Sequence, residues 1–92
     1  MEQHINFHIV QTWDNKTQFT GDDITITVKG FHQQDGKHHI TEPETANAHF
    51  ICCGKLYALQ NTDRFSTVED WYHQELVPKF QMLSLLERGV MI

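Results

Sequence analysis

Seven histidines and two cysteines are the side chains of this 92-residue chain best equipped for chemistry. The stretch HFICCG, His49 to Gly54, sets a histidine three residues ahead of two adjacent cysteines. Imidazole and thiolate together bind zinc, or act as a base and a nucleophile. The spacing works against both. A zinc site needs about four ligands converging on one point. Neighbouring side chains point to opposite faces of a strand and lie roughly 100° apart on a helix, so Cys52 and Cys53 serve one ion poorly. A disulfide between adjacent residues is badly strained, and His49 and Cys53, four apart, meet only on a helix. The reading that remains is two small buried hydrophobes in a strand covered on both sides, with Phe50 and Cys52 facing one way and Ile51 and Cys53 the other.

The other histidines fall where strands would gather them. His4 and His8 share the polar parity of the first strand. His32 and His39 become cross-strand neighbours if Asp35-Gly36 closes a hairpin, with His38 beside them. Were the first strand to pair with Ile24–Val28, these polar faces would merge. His4, His8, His32 and His39 are then candidate ligands for a divalent transition metal, or a group that charges together in mild acid. The competing reading is solvated imidazoles on an open sheet face.

Elements that would position these groups can be read from periodicity. Residues 4–13 alternate, with Ile5, Phe7, Ile9 and Trp13 on one side. DNKTQFTGDD, residues 14–23, reads as a turn-rich connection. Ile24, Ile26 and Val28 alternate with Thr25, Thr27 and Lys29. Asp35-Gly36 is a two-residue hairpin turn, which pairs Gln34 with Lys37, His32 with His39 and Phe31 with Ile40. Apolar parity switches between Val28 and Phe31, so a bulge is expected at Gly30. Residues 44–61 read as a second hairpin, 47–53 with 56–60, turning at Gly54-Lys55, although Thr41-Glu42-Pro43-Glu44 also resembles a helix start. Ser66-Thr67-Val68-Glu69 is a capping box. Val68, Trp71, Tyr72, Leu76, Phe80, Leu83 and Leu86 follow at helical spacing, with a kink or split expected at Pro78. Arg88 and Gly89 are helix-ending signals.

The expected fold is a single α+β domain, 1–92: an antiparallel twisted sheet of about four or five strands packed by a C-terminal helix kinked or split at Pro78.

Composition narrows the function. The net charge is −5, from twelve acids against seven bases. Nucleic-acid binding needs a basic stripe, and an anionic membrane surface would repel this chain. No apolar run is long enough to span a bilayer. The polar N-terminus carries no signal-peptide core, and two cysteines without an export signal point to a reducing, cytoplasmic setting. There is no phosphate-cradling glycine loop, Gly-x-Ser-x-Gly or His-Glu-x-x-His. No cofactor is implied and no enzyme is expected.

The resulting expectation is a small acidic protein-binding module, a regulator or inhibitor of another protein, with a homodimer as one form of that binding. Candidate contacts are the acids Asp22, Asp23, Glu69 and Asp70, the apolar tail Val90, Met91 and Ile92, and unprotected sheet edges. Two further readings stand beside it. One is the histidine metal or pH site. The other is an acidic, DNA-mimicking inhibitor of a nucleic-acid-handling enzyme, for which the acids are rather thinly spread.

Overall fold

A computed structural model describes residues 7–21, 23–61 and 65–87. Among the candidates above, His4, Asp22, Val90, Met91 and Ile92 lie outside the described residues, as do Arg88 and Gly89. Five strands form one antiparallel sheet. They are β1 (His8–Gln11), β2 (Thr17–Gly21), β3 (Ile24–Val28), and then, after an excursion, β6 (Asn47–Cys52) and β7 (Lys55–Gln60), in the order β1-β2-β3-β6-β7. The excursion is a separate hairpin, β4 (Phe31–Gln34) with β5 (Lys37–Ile40), followed by a 3₁₀ turn at Pro43–Thr45. A helical stretch closes the described chain: α1 (Val68–Trp71), a π turn (Tyr72–Leu76) and α2 (Val77–Glu87). Among the described residues no helix is long and apolar enough to cross a membrane.

The sheet has one covered face. Phe19, Ile26, Ala48 and Leu59 align across four strands, as do Gly21, Ile24, Phe50 and Tyr57. Phe19, Ile24, Ile26, Ala48 and Phe50 are buried. The helix covers one part of this face: Val68, Trp71, Tyr72 and Leu76 are buried, and Phe80 meets Phe50 edge-on at 5.2 Å. The β4–β5 hairpin covers another, with the Phe31 ring 5.1 Å from Phe19 and Ile40 buried. Gly21 lets Phe7 and Tyr72 close over β2, because a Cβ there would stand 3.1 Å from the Phe7 ring and the Tyr72 hydroxyl.

Several expectations change. DNKTQFTGDD holds a whole strand, β2, whose Phe19 is fully buried. One aromatic among Thr, Gln and Gly is too little alternation to register as a strand. The first strand is short, and its four residues are all exposed. It is an edge strand that ends at Gln11, so Trp13 falls in the following turn and is 97% exposed. The parity conflict at Gly30 is resolved by the chain leaving the sheet rather than by a bulge. Thr41 N–H donates to the Gly30 carbonyl at 2.9 Å, a close passage where a Cβ would meet the Thr41 side chain at 3.2 Å.

The second hairpin turns one residue early. Cys52 pairs with Lys55, and Cys53 (φ 54°) and Gly54 (φ 82°) are the two central residues. Both positive φ values mark a type I′ turn, whose twist matches that of the strands. Cys52 is therefore buried and Cys53 exposed, and Ile51 on the opposite face is 62% exposed. The strand is covered on one side, not two.

The helix cap also moves by one residue. Thr67 is the N-cap, its hydroxyl accepting from Asp70 N–H at 3.1 Å. Pro78 cannot donate a backbone hydrogen bond. The irregularity it brings is the π turn just before it, in which Val77 N–H reaches the carbonyl of Tyr72. Leu86, placed on the apolar stripe by its spacing, is 63% exposed, with Met82 and Leu85 exposed beside it.

Candidate interaction surface

Most of the polar chemistry gathers where the β4–β5 hairpin meets the helix N-terminus. The hairpin register puts Gln33 opposite His38, on the same side as Phe31 and Ile40. His38 thus turns inward, away from His32 and His39, and packs on Phe19 and Phe31 at 4.9 and 5.4 Å between ring centroids. Glu69, in the first helical turn, accepts twice from this residue: His38 N–H donates at 2.8 Å and Nδ1–H at 2.6 Å. Only 13% of the His38 side chain and 16% of the Glu69 side chain are exposed. The other ring nitrogen, Nε2, lies 3.0 Å from the Gln33 side-chain amide nitrogen.

A carboxylate-oriented imidazole is the arrangement of a catalytic dyad. Here the outward nitrogen is occupied by Gln33, which leaves the pair as a latch between hairpin and helix. Lys37 adds an exposed ion pair to Asp70 at 3.1 Å. The Thr67 hydroxyl bonded to Asp70 is the first cause holding its carboxyl below the ordinary aspartate range. The Lys37 ammonium and, more weakly, His39 act in the same direction against partial burial. Ile40 N–H donates to the Ser66 carbonyl at 2.8 Å, and β5 bridges to Thr67 through His39.

On the solvent side of the hairpin, His32 and His39 are cross-strand partners whose rings stack at 5.2 Å, 11° from parallel. His8 stands exposed on β1, in register with Thr20 of β2, because β2 intervenes between β1 and β3. Among the described residues no three His, Cys, Asp or Glu side chains form a group that could hold a metal ion. Glu69 and Asp70 are both engaged within the chain, and Asp23 is exposed in the turn between β2 and β3.

The larger feature is the face of the five-stranded sheet that neither helix nor hairpin covers. One row across it is His8, Thr20, Thr25, His49 and Ala58. The next is Val10, Gln18, Thr27, Asn47 and Gln60. Ile51 and Leu56 complete the face beside the β6–β7 turn. Each of these residues is exposed or half-buried, and none is Asp, Glu, Lys or Arg. A soluble surface is ordinarily about a quarter to a third charged, which would put about three or four charges here. Ile51 and Leu56 are 62% and 68% exposed. The Thr20 and Thr25 hydroxyls are 3.1 Å apart, holding two neighbouring strands together on this side. Charge is found beyond the strand ends, with Asp23 before β3 and Lys29 after it. An uncharged centre with charge at its margin is the anatomy of a protein interface. Nothing in the sequence marked this surface, because its rows exist only once β3 is known to lie beside β6.

Comparison with protein-family models, curated proteins and solved structures gives no match to this chain.

Proposed function

We propose that the chain is a small non-catalytic protein-binding module, a regulator or inhibitor that acts by occupying a partner's surface, and that it binds through the open face of its sheet. The observation that carries this reading is the absence of charge from that face in a chain with nineteen Asp, Glu, Lys and Arg residues. In water an uncovered sheet face gains nothing from excluding charge, whereas a face that loses its water on binding does. Saturation of the His38–Glu69 pair by Gln33 supports the non-catalytic half. The histidine-metal reading rests on the stacked His32–His39 pair, which offers two ligands where a stable site takes about four. The acidic-mimic reading is weakened by the engagement of Glu69 and Asp70 inside the chain.

Native mass spectrometry of the untagged protein from its own host tests the reading. The expected result is a non-covalent complex, with a second protein or a second copy, that disappears when Thr27→Lys puts a charge on the face. A complex indifferent to that charge refutes it, as does a chain that holds no second protein and stays monomeric up to about 500 μM.

A further inference from the structure

We propose that the open face pairs with the same face of a second copy, giving a two-fold symmetric homodimer; this rests on the binding-module reading above. Charge selects the occupant. Two copies of a chain with net charge −5 repel each other over most approaches. The open face carries none of the Asp, Glu, Lys or Arg residues, so two copies that meet there bring no like charges into contact and keep only the salt-screened repulsion of their net charges. An acidic or basic partner would instead be drawn to charged surface elsewhere.

The face is also self-complementary. Besides His49, its central residues are Thr, Gln and Asn, each with both a donor and an acceptor, so the same residue types satisfy one another across a two-fold axis. The middle strand makes the register specific. Asp23 precedes β3 and Lys29 follows it, three residues on either side of Ile26. A two-fold axis crossing the strands at the level of Ile26 sets Asp23 of one copy against Lys29 of the other, twice. The same axis lays Thr25 of one copy over Thr27 of the other. A strand spacing of about 4.8 Å makes the sheet about 24 Å wide, and about five residues of strand give about 17 Å of height. Each copy then contributes about 400–500 Å², near the lower limit for specific association. The dimer is accordingly weak and reversible.

Sedimentation velocity on the untagged full chain, from about 1 to about 500 μM, reads this directly. The wild type is expected to pass from monomer to dimer over that range. Thr25→Glu and Thr27→Lys are each expected to weaken pairing at least tenfold, with unchanged circular dichroism. Mixed one to one, the two variants should dimerise again, because the carboxylate introduced in one copy then faces the ammonium introduced in the other. Restoration by mixing also excludes misfolding as the cause of the loss. A wild type that stays monomeric at about 500 μM overturns the inference, as does a dimer that both charges leave intact. In the first case the binding-module reading survives if the native complex from the host holds a different protein that Thr27→Lys releases. Both ideas fall if it holds neither.

Discussion

Replacing Glu69 should loosen the hairpin from the helix, and the size of the effect follows from what its carboxylate holds. It accepts the His38 backbone N–H at 2.8 Å and the Nδ1–H at 2.6 Å, with both side chains more than four-fifths buried. A hydrogen bond to a charged group is worth about 1.5–3 kcal/mol net, and a donor left unpaired in the interior costs about 1–3 kcal/mol. The two bonds share one carboxylate and do not add fully, so Glu69→Ala is expected to cost about 2–4 kcal/mol. For a domain of this size that lowers the melting temperature by roughly 10–20 °C. Glu69→Gln should be mild, at about 1 kcal/mol. Its amide oxygen still accepts the His38 N–H, and its amide nitrogen can donate to Nδ1 if the imidazole proton moves to Nε2 and the Gln33 amide turns over. Both variants lose the same favourable term from a negative charge at a helix N-terminus, about 0.3–1 kcal/mol, so their difference isolates the hydrogen bonds. Urea unfolding followed by tryptophan fluorescence measures all three proteins. An alanine variant within about 0.5 kcal/mol of wild type, or a glutamine variant as damaged as alanine, would refute the latch.

Two further predictions concern single positions. Asp70 is held below the ordinary aspartate value of 3.8 in the folded state, so its carboxylate adds stability above that value and loses it as pH falls through the folded pKa. The stability gap between wild type and Asp70→Asn should therefore be widest near neutrality and close as pH falls below 3.8 and through the folded pKa; a gap that widens in acid would reverse the assignment. Cys53 occupies the first positive-φ position of a type I′ turn ahead of Gly54, where asparagine is the preferred residue. Cys53→Asn should raise the unfolding free energy by about 0.5–1 kcal/mol, and a lower urea midpoint would show that the thiol makes a contact worth more than the turn preference.

Legibility of the fold in the sequence followed the strength of local signals. Thr–Ile alternation in β3, Asp35-Gly36 and the helical stripe from Val68 each determine an element without help from the rest of the chain, and the β4–β5 register follows residue for residue. β2 escaped because its burial rests on Phe19 alone, with Gly21 serving a close approach that no periodicity announces. Cys53 escaped because Cys-Gly-Lys fits two turns, one with glycine first and one with glycine second, and local sequence does not choose between them. The inward face of His38 was within reach. Pairing Gln33 with His38 sets it on the side of Phe31, and the adjacent His39 drew it into the wrong group. The interaction surface was out of reach because β6 joins β3 across an eighteen-residue excursion. Only that non-sequential pairing aligns Thr25 with His49 and Thr27 with Asn47.

Each face of the sheet answers a different requirement. At the helix N-terminus on the covered side, both acids are engaged within the chain: Glu69 accepts from His38 and Asp70 pairs with Lys37. The open face has no such partner among the described residues, yet it also lacks the charges that keep an exposed sheet from sticking to others. Proteins ordinarily discourage sheet association with lysine, inward charge or proline. Here β1 and β7 are both edges of the sheet: Lys55 opens β7 with covered-face parity, whereas on the open face the two edges present His8, Val10, Leu56, Ala58 and Gln60, none of them Asp, Glu, Lys or Arg. A chain with a strongly acidic balance has charge to spare for that purpose. Its placement beyond the ends of β3, rather than on the strands, leaves the sheet face open to close contact while the flanking Asp23 and Lys29 set direction. A surface selected only for solubility would show the opposite distribution.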